Sequence, residues 1–434
     1  MRIGELAKKY NIHQSTIRFY IKTGILLPVK KNSQYVFTPD DEEDLKTVIV
    51  LKNNFFSLEE IQKYLHIKRL YNSDDTIENS HFISILEEKI KNIKQEITYQ
   101  KRAINTLEEM LNQLEHDSIS NAKKQLDSLH DVVSGIPIEF AVNFMCPKCG
   151  SLIDLREISI HNNRIINGKL MCRCGYTAVI EDGIILTPNQ DSFYTSDDFY
   201  IMHYREKPSD KQDFVFFEYM NDLSTDTVNL MYSAYNYIDE YLTNTEFRSK
   251  VIILPDLACH FLYKNLANHY FDDAFIIVSG FSKHNISAIK SHIDVIKPEA
   301  KIIYIANTIY DLPIKKQIID LWIDCNSSYN FGFFHPYSLH EKLFPYMKNN
   351  SRIVGYSKYY DDNAKSLKNI RRLYPKSMSN HGRWTRFKRT LEEQGYKLCF
   401  SEIMGSTTNP GPYYEYHDSN DSYFLFTYVA EPNK

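Results

Sequence analysis

The sequence predicts a multidomain chain with four successive parts: an α-helical winged helix-turn-helix, a coiled-coil helix, a small cysteine ribbon and an α/β Rossmann-like module. Three observations predict this order. A short, basic two-helix pattern opens the chain, a heptad repeat follows it, and strands alternate with helices over the second half. Because 434 residues are too many for one hydrophobic core, we expect several domains.

Composition, charge and cysteine usage narrow the class of protein. No apolar stretch is long enough to span a membrane, and no signal-peptide pattern follows Met1, so we expect a cytoplasmic protein without a membrane partner. The formal net charge is −4, yet residues 1–36 carry seven basic residues against one acid. A polyanion should therefore meet this end of the chain. Four of the seven cysteines are paired closely in sequence, which favours a metal site in a reducing compartment.

The first part has the pattern of a helix-turn-helix with a wing. Residues 2–10 place apolar side chains at helical spacing, and a short turn leads to a second helix, His13–Lys22. The outward positions of that second helix offer side chains that reach base edges and phosphates, namely Gln14, Ser15, Thr16 and Arg18. Lys30 and Lys31 then precede a short extended segment, Gln34–Phe37, which suits a basic wing.

Two stretches, IGELAKKYNIHQSTIRFYIKTGILLP and QYVFTPDDEEDLKTVIVLKNNFFSLEEIQKYL, resemble the DNA-binding domain of the MerR family over residues 1–75. The resemblance implies that Arg18 and Tyr20 hold phosphates and that the wing contact comes from Lys31 and Tyr35. It also implies that Gln14, Ser15 and Thr16 face the major groove of double-stranded promoter DNA. The alternative is a winged helix that binds protein.

A heptad repeat predicts a coiled-coil helix over residues 79–116. Nine of its ten seam positions are aliphatic: Ile83, Leu86, Ile90, Ile93, Ile97, Gln100, Ile104, Leu107, Leu111 and Leu114. A homodimer would present two winged helices to an inverted-repeat operator. Resemblance to MerR-type regulators implies an antiparallel coiled coil and action at a promoter together with RNA polymerase. The alternative is a core helix that packs within its own chain.

A polar linker, 117–140, separates this helix from a ribbon over residues 141–188. The pairs Cys146/Cys149 and Cys172/Cys174 are each followed by glycine, and the segment between them alternates apolar and polar residues as a hairpin does. Four thiolates suit tetrahedral Zn²⁺. A site with four cysteine ligands is closed, so we expect a structural and not a catalytic metal. Unligated buried cysteines are the alternative.

Strands alternate with helices across the last part, 200–434, and this predicts a doubly wound sheet. The predicted strands are Val251–Leu254, Phe275–Val278, Lys301–Ala306, Ile319–Ile323 and Arg352–Gly355, with a closing hairpin of Leu398–Ile403 and Tyr423–Val429. The predicted helices lie near 228–242, 258–269, 284–294, 338–347 and 383–394. Ligands in such folds bind at the carboxyl ends of the strands.

The order of these elements resembles a class I S-adenosylmethionine-dependent methyltransferase. By that resemblance the cofactor would bind along the loops that contain Asp256, Ala258, His260, Gly280 and Asp311. Such enzymes have glycine where this chain has Ala258 and His260, because only glycine lets the backbone approach the cofactor. We therefore expect a degenerate module without catalytic residues.

Two functions remain open. In the first, the chain is a MerR-type transcriptional regulator whose last part binds a small-molecule effector or couples the dimer. In the second, it is an active S-adenosylmethionine-dependent methyltransferase with an autoregulatory DNA-binding domain. Aromatic residues crowd the C-terminus and either line a pocket for a flat or cationic ligand or fill the core.

Overall fold

The computed structural model describes residues 1–32, 34–70, 75–129, 134–188, 220–244, 251–255, 259–280, 283–307 and 310–433. The chain divides into two compact units, Met1–Lys123 and Lys124–Lys434. Among the described helices, none is long and apolar enough to cross a membrane.

Four short helices and a two-stranded hairpin open the first unit, as the sequence predicts. Asn11 ends the first helix in a left-handed conformation, with φ of 52°, and Thr38 caps the third helix ahead of Pro39. The elements are α1 Ile3–Tyr10, α2 Gln14–Lys22, β1 Val29–Lys31, β2 Gln34–Val36, α3 Pro39–Asn53 and α4 Leu58–Leu70. The helix-turn-helix and its wing are therefore confirmed as structural elements.

A partly buried ion pair connects the helices of this unit. Arg69, at the end of α4, donates from Nε and Nη2 to one carboxylate oxygen of Asp44, at 3.2 and 2.9 Å. The same Nη2 also donates to the carbonyl oxygen of Ile25. Because Asp44 lies on α3, these bonds hold α4, α3 and the segment before the wing together.

Helix α5, Asp75–Leu129, is longer than the predicted coiled-coil segment. Its 55 residues would extend about 80 Å at about 1.5 Å per residue. The helix continues through residues 117–129, which the sequence places in a linker. Seven of the nine aliphatic heptad positions are exposed, namely Ile83, Ile90, Ile97, Ile104, Leu107, Leu111 and Leu114. Within the described residues, this apolar seam is thus open to solvent.

A mixed sheet of twelve strands, counted over the described residues, forms the centre of the second unit. Its strand order is β13-β14-β12-β11-β8-β9-β10-β7-β6-β5-β3, with β4 paired to β5. The first strands are β3 Ile136–Pro137, β4 Asp154–His161, β5 Arg164–Met171, β6 Thr177–Glu181 and β7 Ile184–Leu186. The others are β8 Val251–Pro255, β9 Phe275–Ser279, β10 Lys301–Ala306, β11 Ile319–Cys325, β12 Met347–Tyr360, β13 Tyr396–Thr407 and β14 Tyr423–Pro432.

The sheet from β10 to β13 has a Rossmann-like methyltransferase fold. Strands β10, β9, β8, β11 and β12 are mutually parallel neighbours. Strand β14 then pairs antiparallel with both β12 and β13, so the chain closes with the predicted hairpin. The predicted fold class is therefore confirmed, since all five parallel strands and the closing hairpin lie where their apolar runs indicated.

Helices cover both faces of this sheet and bury two large apolar clusters. They are α6 Thr225–Asn244, α7 Cys259–Asn265, α8 Lys283–Ile296, α9 Ser327–Phe334, α10 Leu339–Leu343, α11 Lys365–Leu373 and α12 Trp384–Glu393. Short 3-10 turns add Ile138–Asn143, His269–Phe271 and Phe344–Tyr346. The sequence did not predict α9 or α11, because both are short and carry weak helical start signals.

The cysteine ribbon belongs to the same sheet as the α/β strands. Strand β7 pairs in parallel with β10, with Ile185 opposite Ile305. Side chains of the ribbon, including Tyr176 and Ile180, share one buried cluster with Ile303 and Trp322. The ribbon and the Rossmann-like strands therefore share one sheet and one core.

Close strand packing fixes the end of β11 against β12. A Cβ atom on Gly355 would lie 2.1 Å from the carbonyl oxygen of Asp324, so only glycine fits there. The Asp324 carboxylate is buried and accepts hydrogen bonds from Ser328 N at 3.1 Å and Tyr428 Oη at 2.6 Å. Burial raises the pKa of Asp324, and these hydrogen bonds oppose that shift.

The exposed heptad seam predicts self-association through α5. Replacing both Ile97 and Ile104 by aspartate should convert a dimer into a monomer, because it puts two charges into the apolar contact. Sedimentation velocity at micromolar protein concentration measures the change.

The double variant Gln95→Asp/Arg102→Asp is the matched control, since both residues are exposed and lie away from the seam with the same spacing. It should remain dimeric. A wild-type chain that sediments as a monomer at these concentrations would contradict the prediction.

Candidate nucleic-acid interface and metal centre

Helix α2 presents a polar face to solvent while Ile17 anchors it in the core. Nδ1 of His13, which precedes the first turn, accepts a hydrogen bond from Ser15 N at 3.3 Å. The predicted base-contacting and phosphate-contacting side chains on this face are exposed or half-buried, and they are Gln14, Ser15, Thr16 and Arg18. The structure thus brings four of the predicted side chains to one surface.

The hairpin β1–β2 forms the basic wing. Lys30 and Lys31 are exposed on β1, and Tyr35 is half-buried on β2. Lys30 pairs with Tyr35 across the hairpin, with Nζ 5.9 Å from the centre of the ring. Within the described residues neither lysine has an ion pair, so both charges remain available to a polyanion.

Tyr20 lies on the opposite side of α2 from Arg18. Its side chain is 3% exposed and belongs to the core, whereas the neighbouring Phe19 is exposed. Nζ of Lys52 lies 6.0 Å from the Tyr20 ring. Tyr20 therefore supports the helix from the interior, and the structure does not bring it to the surface with the other predicted contacts.

The four predicted metal ligands converge at the tip of the ribbon. The Sγ atoms of Cys146, Cys149, Cys172 and Cys174 all lie within 4.8 Å of one another. The closest pairs are Cys146 with Cys174 at 3.4 Å and Cys149 with Cys172 at 3.5 Å. About 3.8 Å separates the sulfurs of a tetrahedral site with about 2.3 Å metal–sulfur bonds, so the cluster fits a tetrahedral metal ion.

Both cysteine pairs lie on tight turns closed by glycine. Gly150 donates to the carbonyl oxygen of Cys146 at 2.8 Å, and Gly175 donates to that of Cys172 at 2.9 Å. Both glycines have positive φ, 73° and 86°. Hydrogen bonds from the side chain and backbone of Ser151 lower the pKa of Cys149 to about 6. By contrast, burial raises the pKa of Cys146, so the thiols of the cluster do not shift in one direction. A thiolate is the form that binds a metal.

The predicted cofactor residues are only partly described. Asp256 and Ala258 lie outside the described residues, and His260 lies in the first turn of α7. Gly280 follows β9 with φ of 126°, and its N–H donates to Ile305 on β10 at 3.2 Å. Asp311 follows β10 and pairs with Nζ of Lys342 at 3.4 Å. Gly280 and Asp311 follow the carboxyl ends of the adjacent strands β9 and β10.

The C-terminal aromatic residues surround a buried lysine of the chain itself. Nζ of Lys358 lies 4.4 Å from the ring centre of Tyr414, 4.9 Å from that of Tyr329 and 5.5 Å from that of Tyr423. It also donates to the Tyr414 hydroxyl at 2.8 Å. Burial holds the pKa of Lys358 well below its usual value. This cage therefore does not offer an open pocket for a cationic ligand.

A second basic surface was missed from the sequence. Residues 364–391 contain nine lysines and arginines and no acid, a bias visible in composition alone. They form α11, the segment after it and the first eight residues of α12, which ends with Glu392 and Glu393, beyond the carboxyl end of β12. His381 lies within this segment and is buried.

The comparisons with known proteins concern the two ends of the chain separately. Residues 1–67 match the family model described as MerR HTH family regulatory protein. HiNmlR, a MerR family regulator lacking the sensor domain and solved bound to promoter DNA, is 30% identical, with 27% of this chain and 92% of HiNmlR covered and a TM-score of 0.21. None of the curated proteins matches the chain.

Other solved structures are similar to nearly half of the chain. TYW2 of M. jannaschii, solved with AdoMet, is 15% identical over 45% of this chain and 74% of that protein, with a TM-score of 0.29. A protein of Pyrococcus horikoshii with a provisional transferase assignment is 11% identical over 46% of this chain, with a TM-score of 0.30. The chain spans 64% of the length of that protein.

The two kinds of observation on the first unit agree. The first unit exposes a polar face on α2 and a basic wing, and residues 1–67 match the family model of MerR HTH regulatory proteins. Residues 1–67 therefore form a helix-turn-helix domain of the MerR family of regulatory proteins.

Proposed function

We propose that this chain is a transcriptional regulator that binds promoter DNA as a homodimer and carries a degenerate methyltransferase-like module. The observation that carries the proposal is that the first unit exposes both the polar face of α2 and the wing lysines Lys30 and Lys31. A helix of this kind enters the major groove, while a basic wing contacts the phosphates on either side. Arg18 is the cation on the helix face itself and is expected to contact a phosphate.

The dimer follows from α5. Its exposed aliphatic seam supports an antiparallel coiled coil between two chains, as MerR-type regulators use. Two winged helices related by a two-fold axis would read an inverted repeat. RNA polymerase at the same promoter is the second macromolecular partner in this proposal.

The second unit is proposed to bind an effector or to couple the dimer. Its strands form the complete sheet of a methyltransferase-like fold, yet the sequence has Ala258 and His260 where the cofactor loop needs glycine. The fold is thus kept while the glycines that would let the backbone approach the cofactor are replaced in the sequence. Because the fold is retained and the cofactor loop is altered, we infer that the second unit binds a ligand and does not transfer a methyl group.

The cysteine cluster is proposed to bind one structural Zn²⁺. Cys146, Cys149, Cys172 and Cys174 would fill all four positions of a tetrahedral ion, so no position remains for water or substrate. The ion would cross-link the four cysteines and would have no catalytic role. It would hold the two turns of the ribbon together, next to strands β5 and β6.

Arg18→Ala should weaken binding to operator DNA about tenfold and across all sequences, because a phosphate contact carries no base information. The slope of log affinity against log salt should shrink by about one. Fluorescence anisotropy at several salt concentrations measures both quantities.

Arg102→Ala is the control for this change, since it removes an exposed cation from α5 of the same unit. It should leave affinity and slope unchanged. An Arg18→Ala protein that binds like the wild type would count against the proposed docking of α2.

Purified protein should contain about one zinc ion per chain, measured by elemental analysis. Cys149→Ser should lose the ion and more than about 3 kcal/mol of unfolding free energy in the second unit, because tetrathiolate zinc sites contribute about 10 kcal/mol or more to folding. Cys399→Ser, at an exposed cysteine far from the cluster in sequence, should change neither. Unaltered zinc content in Cys149→Ser would exclude the site.

Calorimetric titration of S-adenosylmethionine into the zinc-loaded protein should show no micromolar binding. The variant Ala258→Gly/His260→Gly should bind more tightly than the wild type, because it restores the glycines of the cofactor loop. Micromolar binding by the wild type, followed by methyl transfer to total RNA or DNA, would instead establish the alternative, an active methyltransferase that regulates its own gene.

A further inference from the structure

The basic surface of the second unit contrasts with the charge of the whole chain. Residues 364–391 carry nine basic residues and no acid, in a chain of formal net charge −4. Seven of the nine are exposed, namely Lys365, Lys368, Arg371, Arg372, Lys376, Lys388 and Arg389. Four of the nine basic residues have ion-pair partners, namely Lys365, Arg383, Arg386 and Lys388, whereas the others have none among the described residues. Uncompensated like charges repel one another, which favours an anionic partner.

Part of this surface forms a cleft of about 400 Å³. Its walls carry Lys368, Arg371, Arg372 and Arg383, and His381 lies on its inner side. Helix α11 places the first three of these residues at spacings of three and one, so their side chains share one side of the helix. The cleft is therefore bordered by cations.

Three of the four basic residues that border the cleft have no ion pair among the described residues. Arg383 pairs with Asp362 at 2.8 Å. Lys368 and Arg371 have no ion pair among the described residues, and Arg372 only donates to the amide oxygen of Asn369 at 3.5 Å. By contrast Lys388, outside the cleft, lies 3.9 Å from Glu392. The cleft thus retains three uncompensated positive charges.

The inner side of the cleft has a buried polar group without a partner. His381 is 5% exposed, and neither of its ring nitrogens has a hydrogen-bond partner in the part of the chain that the structure describes. The rings of Tyr329 and Phe333 hold it in place, each with its centre 4.5 Å away. Burial lowers the pKa of His381 to about 3, so a neutral ring offers one donor and one acceptor.

His381 separates the cleft from a small inner cavity. That cavity has a volume of about 30 Å³ and is bordered by Lys358 and Ser328. It has room for about one water molecule and cannot hold the body of a ligand. A bound molecule would therefore occupy the outer cleft and contact His381 from there.

The position of the cleft in the fold also suits a ligand. Helix α9 begins directly after β11, and α11 and α12 follow β12, so the cleft lies beyond the carboxyl ends of parallel strands. Doubly wound sheets bind their ligands at that edge. Its volume falls in the range of about 300–1,000 Å³ that small-molecule sites occupy.

We propose that this cleft binds a phosphate-bearing small molecule, with the phosphates against Lys368, Arg371 and Arg372 and an uncharged polar group against His381. The site rests on the proposed function, because the ligand would be the effector of the regulator. Arginine pairs match phosphate through several parallel hydrogen bonds. A buried histidine without a partner indicates an enclosed ligand, whereas an extended polynucleotide would need only the exposed cations.

The test is calorimetric titration of inorganic pyrophosphate into full-length, zinc-loaded protein at constant ionic strength. We expect saturable binding that Arg371→Ala/Arg372→Ala weakens about tenfold or more, since each charge-assisted hydrogen bond contributes a factor of about ten. Lys388→Ala/Arg389→Ala removes an equally charged, exposed pair outside the cleft and should change affinity less than about twofold. His381→Asn should leave pyrophosphate affinity within about threefold of wild type while weakening a nucleoside diphosphate more strongly.

Absence of saturable binding, or equal weakening by both double variants, would overturn the proposal. So would a single-stranded RNA 12-mer that binds more tightly than pyrophosphate and is weakened equally by both pairs, because the whole surface would then be a nucleic-acid interface. Binding of operator DNA is measured on the same variants, so that failure of the cleft proposal can be distinguished from failure of the proposed DNA-binding function. Retained DNA binding without pyrophosphate binding would reject the cleft alone.

Discussion

Strand β7 pairs in parallel with β10, and this pairing joins the cysteine ribbon to the Rossmann-like sheet. Without it, β10 would be an edge strand with unpaired backbone groups. With it, the ribbon residues Tyr176 and Ile180 complete the core around Trp322. The turns that hold the four cysteines, the sheet and the loops beyond its carboxyl ends consequently depend on one another.

Local sequence patterns were sufficient for most of the architecture. The apolar runs around Val251 and Phe275 predict buried parallel strands, and the final pair of strands, Leu398–Ile403 and Tyr423–Val429, predicts the closing hairpin. The heptad spacing predicts the helix α5, and the two cysteine pairs predict the cluster of four thiols. These predictions succeed because spacing along the chain alone decides which side chains share a face or a turn.

Other features depend on contacts between distant residues and could not be predicted in this way. Nothing near Ile184 in sequence indicates its pairing with Tyr304, and the burial of Tyr20 follows from its neighbours in space. Lys358 looks like an ordinary surface lysine in sequence, yet three tyrosines from separate segments enclose it. The excess of basic residues around Arg371 was visible in the sequence. The cleft that these residues border forms only when residues 361–395 are folded, so it could not be predicted.

The buried amine of Lys358 links folding of the second unit to protons. In the unfolded chain its pKa is near the ordinary 10.5, whereas in the folded chain burial holds the pKa well below that value. Between the two pKa values the unfolded chain binds the proton and the folded chain does not, so folding releases it. In that window the contribution of Lys358 to stability rises by about 1.4 kcal/mol for each unit of increasing pH, up to the unfolded pKa. Lowering the pH within this window therefore shifts the equilibrium towards the unfolded state, through protonation of Lys358.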